Sequence, residues 1–401
     1  MDKTSNPRLP IMVIIMLGIM TTFGPLTIDM YVPSLPNVQN AFDTTASQVQ
    51  LTLSFAMIGL AVGQFIFGPL SDAYGRKKVA LIIISLYVIA SLIAVFTTSL
   101  SILLTLRLIQ GLTGGGVIVI AKASIGDQHK GKALAKGLAS LLVVNGIISI
   151  IAPLIGGYAL TIANWKAIFL ILTIISFAIL LFAFFKMEET RSRHLSKLNF
   201  SAIFKDFGSL LKKPAFIIPM LLQGLTYVML FSFSSAAPFI TQKIYDMTPQ
   251  QFSILFAING IGLIIVSQLT ATLVEYINRY LLLILLTLIQ IAGVILICFT
   301  LIFHLPLWVL VIAFFLNVCP VTGIGPLSFT LAMESGTGGS GNASSLLGLF
   351  QFILGGIMSP LVGLKGEYSV MPYIIILIIT MIFIVLLEIS LKSFTFKNSS
   401  N

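Results

Sequence analysis

Charge is scarce in this chain: only 9% of its 401 residues are Asp, Glu, Lys or Arg, whereas soluble globular proteins average about 25%. Hydrophobic residues make up 57% of the sequence. A soluble fold of this length could not hide so much apolar surface from water. The composition therefore excludes a soluble protein and indicates one that is integral to a membrane.

Cysteine and histidine are also scarce, which limits the chemistry that the chain can support. The two cysteines, Cys298 and Cys319, both lie in apolar runs, so neither a disulfide framework nor a zinc site is expected. The three histidines stand alone, and no metal or cofactor is predicted. The apolar runs hold no clustered nucleophiles, paired acids or repeated filter sequence, which argues against an enzyme and a channel.

The net charge of +10 does not indicate a nucleic-acid partner, because the bases lie in short loops between apolar runs. Two stretches resemble nucleotide-binding loops but fail on context. Residues 126–132 fit a phosphate-binding loop until Ala133, where Ser or Thr is required, and residues 336–341 join two membrane segments rather than a strand and a helix. No nucleotide partner is expected.

Twelve apolar runs are long enough to cross a bilayer. Lipid offers no partner for backbone polar groups, so runs of this length must be helices. The first run is of span length rather than signal-peptide length, and we interpret it as a retained span. The runs cover residues 9–35, 47–70, 77–97, 101–124, 133–160, 165–185, 214–241, 249–272, 280–302, 305–330, 340–364 and 369–391.

The basic residues fix the orientation of these spans. If both termini are cytoplasmic, 19 Lys and Arg residues fall in inner segments, three fall in outer segments, and Arg107 remains inside a span. Positive charge is retained on the cytoplasmic side of membranes. The sequence therefore predicts a multi-pass protein of the cytoplasmic membrane with both termini inside.

The longest polar segment, residues 186–213, separates six spans from six. We predict an N-terminal six-helix bundle over residues 1–185, a cytoplasmic linker over 186–213, and a C-terminal six-helix bundle over 214–401. Residues 200–211 are amphipathic, which predicts a helix on the cytoplasmic surface.

The loop between spans 2 and 3, GPLSDAYGRKKV at residues 68–79, changes abruptly from apolar to charged. Gly68 permits close helix packing and Gly75 permits a tight turn. Asp72 is placed to reach a neighbouring helix, and Arg76 lies where positive charge is retained. This spacing resembles the loop 2–3 signature of the major facilitator superfamily, Gly-x-x-x-Asp-x-x-Gly-Arg. The resemblance implies an all-α membrane fold of two six-helix bundles around a central cavity, with this loop gating its inner side.

A weaker copy of this loop occurs at the matching place in the second half. Glu275 and Arg279 have the same spacing as the acid and base of the first loop. Asn278 replaces the turn glycine, and asparagine is the next best residue for a left-handed conformation. The copy supports duplicated halves that face a midplane cavity, and it adds Glu275 and Arg279 to the predicted gate.

Asp29 precedes two prolines in the first span. A carboxylate here either caps a bent helix near the outer interface or faces a water-filled cavity and titrates, and residue chemistry alone leaves both open. The run DMYVPSLP, residues 29–36, resembles the bicyclomycin-resistance (Bcr/CflA) group of drug:proton antiporters. That resemblance implies a role for Asp29 in proton and substrate handling.

Arg107 lies inside span 4, flanked by apolar residues. It either extends to the headgroups or is buried for a function. Gln110 shares its helix face, and Arg-x-x-Gln-Gly resembles a superfamily motif that is linked to proton transfer. A fixed positive charge favours the ionised form of a nearby carboxylate, and loss of that contact favours protonation. We therefore expect Arg107 to tune Asp29.

Further gating residues are expected in spans 4 and 5. Pro153, Gly156 and Gly157 partly match the superfamily's antiporter signature and predict close packing and a bend. By resemblance, Asp127 at the inner end of span 4 pairs with Arg76 when the cavity faces outward. Asp72 would then lie at the N-terminus of span 11, in the glycine-rich run 335–345.

Polar and aromatic residues stranded in apolar spans are the candidates for the cavity wall. A mostly apolar wall with a few polar groups suits small amphipathic molecules, although a helix–helix hydrogen bond is the commoner fate of each residue alone. The stretch from Asn317 also predicts a broken span 10. The candidates are Tyr31, Phe55, Gln110, Asn145, Gln223, Tyr227, Phe231, Asn259, Asn317 and Gln351.

The sequence thus predicts a secondary transporter that exports small amphipathic compounds in exchange for protons by alternating access. Its expected partners are the substrate, protons and lipid; it is expected to act as a monomer and to use the proton gradient in place of a cofactor. One alternative is a proton-coupled transporter of a single metabolite, such as an aromatic amino acid or a sugar. A selective carrier discriminates tightly among ligands, whereas a drug exporter tolerates changes of shape.

Overall fold

The computed structural model describes residues 11–129, 131–190, 200–335 and 340–399, and every regular element in those ranges is helical. Eleven helices are long and apolar enough to cross a membrane, and one bent pair, Ile15–Thr21 with Phe23–Phe42, brings the number of spans to twelve. Helices satisfy their own backbone polar groups, as lipid requires. The twelve predicted spans are confirmed.

Most of the described residues lie in long α-helices, which are joined by short turns. In chain order, the helices are α1 (Ile11–Thr21), α2 (Phe23–Ile28), α3 (Leu35–Phe42), α4 (Ala46–Tyr74), α5 (Arg76–Phe96), α6 (Leu100–Gln128), α7 (Gly131–Ile162), α8 (Lys166–Lys186), α9 (Phe200–Leu210), α10 (Pro214–Phe239), α11 (Pro249–Leu273), α12 (Arg279–Phe303), α13 (Leu307–Val318), α14 (Val321–Ser335), α15 (Ser340–Met358) and α16 (Met371–Ser399). Val32–Ser34 and Ser359–Gly363 form 3₁₀ turns, and Ile240–Ile244 forms a π turn.

Each half of the chain packs mainly on itself. In the first half α4 packs on α6 and α5 on α8; in the second half α10 packs on α14 and α12 on α13. The halves meet along two seams, α4 against α15 and α7 against α11. We call the end of the molecule that carries the Gly75 turn the inner end, and the opposite end the outer end.

Span 1 is broken, and the break leaves a backbone carbonyl without its helical partner. The chain bends by 40° between α1 and α2, and a second break follows where α2 ends at Ile28, before the 3₁₀ turn at Val32–Ser34. The N–H of Tyr31 donates to the Ile28 carbonyl (3.1 Å), whereas an α-helix would direct it to Thr27. The Thr27 carbonyl is therefore available to another donor.

Span 10 is also interrupted, as the sequence predicts. Helix α13 ends at Val318 and α14 begins at Val321, with Pro320 between them. Proline cannot continue the hydrogen-bond ladder of a helix, so the break follows from its position.

The predicted linker helix is present as α9, and one of its faces packs on protein. Phe207 and Leu210 are buried in a cluster with residues of the second half. On the other side, the ring of Phe207 lies 5.6 Å from the ring of Phe65 on α4. Asn342 of α15 donates to the Asp206 carboxylate (2.6 Å). The helix thus touches both halves at their inner ends.

The crossing of α7 over span 1 depends on a glycine. A Cβ on Gly156 would lie 1.9 Å from the Met30 carbonyl oxygen, which is closer than any real contact. We expect Gly156→Ala to lower the free energy of unfolding by about 1–3 kcal/mol, the usual cost of overpacking, measured as the denaturation midpoint of the purified protein. The matched control is Gly348→Ala, where a Cβ meets open space; equal stability of the two variants would contradict this packing argument.

Candidate substrate cavity and inner-face charge cluster

A cavity of about 580 Å³ lies between the two halves of the chain. Helices of both halves contribute to its wall, which is mostly apolar with a few polar groups. Such a wall is typical of sites for small amphipathic molecules. The lining residues are Thr21, Gly24, Pro25, Ile28, Asp29, Leu60, Gln64, Ile118, Lys122, Leu138, Leu141, Leu142, Asn145, Ser149, Tyr227, Leu230, Phe231, Gln351 and Phe352.

Asp29 lies in the wall of this cavity, next to the break in span 1. The Ser149 hydroxyl of α7 is its hydrogen-bond partner. Of the two environments that the sequence left open for this acid, the structure shows the cavity. The carboxyl group therefore borders the space in which a substrate can lie.

Hydrogen bonds between the halves join their outer ends. One of these bonds runs from Gln250 of α11 to the Gly157 carbonyl of α7 (2.9 Å). Pro153 is buried within α7, and the helix continues through it. These contacts hold the outer ends of the two halves together. The outer bonds run from Gln242 to the Pro33 carbonyl (3.0 Å), from Gln50 to the Ser235 carbonyl (2.9 Å) and from Ser47 to the Pro360 carbonyl (2.8 Å).

Arg107 is fully buried inside the first half, so its side chain does not extend to the headgroups. Its guanidinium donates to the Thr27 carbonyl (2.7 Å) and the Thr52 carbonyl (3.3 Å). A third bond goes to the Gln110 side chain (3.0 Å), and the Tyr31 ring lies 4.5 Å below the charge. These contacts tie spans 1, 2 and 4 together.

The expected contact between Arg107 and Asp29 is not among the hydrogen bonds of the described residues. The guanidinium instead satisfies the Thr27 carbonyl, which the break in span 1 deprives of its helical donor. Asp29 lies beyond that break and turns towards α7. The side-chain amide of Gln110, the other residue of the motif, donates to the Ser91 hydroxyl of α5 (2.8 Å), so the hydrogen-bond network includes span 3.

Four of the ten predicted cavity residues line the cavity: Asn145, Tyr227, Phe231 and Gln351. The other six do not line the cavity, because their side chains are buried in contacts between helices or lie away from it. Gln223 lies one layer behind, donating to Gln351 (2.9 Å). Tyr31, Gln110, Asn259 and Asn317 are buried in helix contacts, and Phe55 is partly exposed away from the cavity.

Lys122 is a wall residue that the sequence interpretation missed. The orientation argument counted it among the bases of an inner loop, but it lies in α6 and faces the cavity. Its side chain is one turn from Ile118, another wall residue. The sequence did contain a signal for Lys122, because an ionisable residue within a membrane span is a functional candidate by default.

The inner face of the first half carries a charge cluster centred on Arg76. Gly75 adopts φ +97°, a left-handed conformation that favours glycine, and turns the chain from α4 into α5. Arg76 is 4% exposed, so its charge needs internal partners. It donates to Asp72 (2.5 Å), to Asp127 (2.9 Å) and, through a third nitrogen, to Ser71 (2.6 Å).

The Arg76–Asp127 pair is present while the outer ends of the halves are joined. The partner that the resemblance implies for Arg76 is therefore present in this arrangement too; the dependence on an outward-facing cavity stays a prediction. Asp72 bonds to Arg76 in this arrangement. Its expected neighbour, the glycine-rich run 335–345, lies partly outside the described residues. The carbonyl of Gly68 accepts a longer bond from Arg76 (3.5 Å).

Glu189, just after α8, is a member of this cluster that the sequence interpretation missed. Its carboxylate accepts from the backbone N–H groups of Arg76 (2.8 Å) and Lys77 (3.1 Å) at the N-terminus of α5. An acid at this end of a helix satisfies unpaired donors and opposes the helix dipole. Thr190 adds a bond to Asp127 (3.2 Å). The end of span 6 is thereby tied to the loop between spans 2 and 3.

The second half repeats the arrangement with a different acid. Arg279 pairs with Glu334 at the end of α14 (2.6 Å), as Arg76 pairs with Asp127 at the end of α6. The predicted partner Glu275 is exposed.

The predicted left-handed turn at Asn278 is wrong. Its φ is −55°, and its side chain caps α12 by accepting from the Tyr280 N–H (2.9 Å). Asparagine is among the preferred residues at such an N-terminal cap.

Comparison with known proteins agrees with this architecture. A family model described as Major Facilitator Superfamily matches residues 17–360. The chain is 37% identical over 371 residues to the MFS-type transporter YdgK of Bacillus subtilis, covering 91% of each protein. It is 28% identical over 352 residues to the bicyclomycin resistance protein homolog of Haemophilus influenzae, covering 87% of this chain and 88% of that protein.

Solved structures agree at the level of fold. A D-xylose-proton symporter superposes with a TM-score of 0.73 at 15% identity, covering 92% of this chain and 96% of that one. A POT family transporter in complex with 5-aminolevulinic acid superposes with a TM-score of 0.77 at 11% identity, covering 94% and 95%. At such identities the likeness establishes shared architecture and not a shared substrate.

Proposed function

This chain belongs to the major facilitator superfamily, with relatives in its bicyclomycin-resistance group, and we propose that it exports small amphipathic compounds in exchange for protons. It is a multi-pass membrane transporter. The proposal for export rests on relatives whose names state resistance to bicyclomycin and to chloramphenicol, the latter from Pseudomonas aeruginosa and 28% identical over 260 residues.

The cavity is the observation that carries this proposal. It lies between the halves, whose outer ends are joined by hydrogen bonds, and its mostly apolar wall includes Asp29. A carboxyl group beside the substrate space can bind a proton or a basic ligand, but not both at once. Competition for one group is a simple physical basis for exchange.

Gating is assigned to two sets of contacts. Rocking of the halves would open the outer bonds and close the inner end. We assign the inner gate to the cluster of Asp72, Arg76 and Asp127 beside Gly68 and Gly75, which joins the inner ends of spans 2, 3 and 4 within the first half, with Arg279 as its counterpart within the second half. Gly156 and Gly157 hold α7 against span 1 and α11, so we assign them to the seam along which the halves rock.

The chain is proposed to lie in the cytoplasmic membrane with both termini cytoplasmic, because 18 of its bases, not counting Lys122, then lie in inner segments against three in outer segments. Helices from both halves of one chain line the cavity, which supports action as a monomer. The proton gradient takes the place of any cofactor.

The test is proton release from inverted membrane vesicles that contain the full chain. A respiratory substrate acidifies the vesicles, and a pH-sensitive dye reports the gradient. Addition of chloramphenicol or of an amphipathic dye is expected to release protons from vesicles with the protein and not from vesicles without it. No release for any compound on a broad panel would contradict exchange with protons.

The same panel separates the two alternatives for substrate range. A drug exporter responds to several unrelated amphipathic compounds. A response to one sugar or one aromatic amino acid alone would replace the proposal with a metabolite transporter.

A further inference from the structure

Lys122 is a cation of the cavity wall without a partner among the described residues. It lies in the wall, and its residue surface is exposed rather than covered by neighbouring side chains. None of the described hydrogen bonds or ion pairs involves its ammonium group. A charge in a membrane protein is costly to leave unpaired, and it marks a ligand pathway by default.

Among the described residues of the wall, Asp29 is the one further charged side chain. It lies towards the outer end of span 1, whereas Lys122 lies towards the inner end of span 4. Helices α2 and α6 are neighbours at Gly24 and Ile118, where a Cβ on the glycine would contact the isoleucine side chain at 3.4 Å. Lys122 is one turn inward of Ile118, and Asp29 is five residues outward of Gly24. At helical rise the two charged residues are roughly 13 Å apart along the spans.

The same wall carries a row of aromatic rings. Phe231 and Phe352 have ring centroids 5.6 Å apart, and Tyr227 continues the row 6.1 Å from Phe231. All three rings belong to the second half and lie in the cavity wall. A flat aromatic body fits against such a row, and its ends would extend towards the charges of the first half.

From this arrangement we propose that the cavity binds elongated zwitterions, with Lys122 holding the anionic end and Asp29 the basic end. The inference rests on the proposed function and names its substrate class. A purely anionic ligand is disfavoured because ionised Asp29 would repel it. A purely cationic ligand leaves the Lys122 charge unused. A carboxylate on Lys122 forms a charge-assisted hydrogen bond, which is among the stronger polar contacts in proteins.

The test uses three probes with one aromatic body. A fluoroquinolone such as norfloxacin is a zwitterion with its ammonium and carboxylate at opposite ends; its methyl ester lacks the acid, and its N-acetyl derivative lacks the base. Dissociation constants are measured with the purified full chain for the wild type, Lys122→Gln and Lys122→Arg. Lys186→Gln, an exposed lysine at the end of α8, is the matched control.

We expect the wild type to bind the zwitterion more tightly than either derivative. Lys122→Gln should weaken zwitterion binding about tenfold relative to the ester, since one charge-assisted bond is lost. Lys122→Arg should retain the preference for the zwitterion, and Lys186→Gln should match the wild type. The inference is overturned if the ratio of the zwitterion and ester dissociation constants in Lys122→Gln equals that of the wild type. It is also overturned if the substitution weakens the binding of both probes equally, or if none of the probes binds.

Failure of the inference and failure of the proposed function give different results. If the wild type exchanges the ester for protons but Lys122→Gln leaves the ratio unchanged, the inference alone is wrong. If the ratio falls as expected but none of the probes moves against a proton gradient, the substrate class stands and proton exchange is wrong.

Discussion

Replacing Arg107 with methionine is expected to abolish transport and to lower the free energy of unfolding by roughly 2–6 kcal/mol. The guanidinium donates to the buried carbonyls of Thr27 and Thr52, and a buried acceptor that loses its donor costs about 1–3 kcal/mol. The Thr27 carbonyl accepts no backbone hydrogen bond from its own helix that could replace the guanidinium, because span 1 is broken there. The measurements are the denaturation midpoint in detergent and substrate exchange in reconstituted vesicles.

Arg107→Lys separates a fixed charge from a cross-link between helices. A lysine keeps the charge, but its single ammonium group cannot bridge acceptors on three spans in a fixed fork geometry. We expect it to recover little of the lost stability. Arg279→Met is a control for stability, because its pair with Glu334 is exposed and such pairs contribute about 0–1 kcal/mol. Wild-type stability in the lysine variant would show that charge alone suffices.

The number of spans and the position of the charge cluster could be predicted because their signals are local. A run of apolar residues must become a helix in lipid. The loop from Gly68 to Arg76 carries its turn, its acid and its base within a few residues. The structure builds the expected turn and pair there.

The rotation of each helix about its axis could not be predicted, and the cavity wall depends on it. Apolar residues surround these helices on all sides, since lipid and protein interior are equally apolar. Sequence therefore cannot tell which side faces the cavity. The side chain of Asn317 is buried in helix packing. The side chain of Lys122, which the sequence interpretation counted among the loop bases, lies in the cavity wall.

Contacts between residues that are distant in sequence could not be predicted either. The bond from Arg107 to Thr27 depends on a break in a different span, and Glu189 reaches the N-terminus of α5 across 113 positions. The repeat suggested a partner for Arg279 four residues before it, but the structure supplies Glu334 from α14. The duplicated halves share the geometry of the pair rather than the sequence position of its acid.

Asp29→Asn is expected to abolish accumulation driven by a proton gradient, while exchange of a substrate without a basic group, such as chloramphenicol, continues across the membrane. The amide has nearly the size of the carboxyl group and can still bond to Ser149, but it cannot bind and release a proton. The measurement is substrate uptake into inverted vesicles with an imposed gradient, followed by exchange of labelled for unlabelled substrate without one. Uptake should stop at equal concentrations on the two sides.

Ser149→Ala is the matched control for this prediction, because it removes the hydrogen-bond partner and leaves the carboxyl group in the cavity wall. It should keep gradient-driven accumulation. Undiminished accumulation by Asp29→Asn would show that the coupled proton binds elsewhere. The next candidate would then be Glu388 on α16, whose carboxylate accepts a bond from Thr287 of α12 (2.5 Å) away from the cavity. A proton carried there would have to act through the packing of α12 and α16 rather than by competing with substrate.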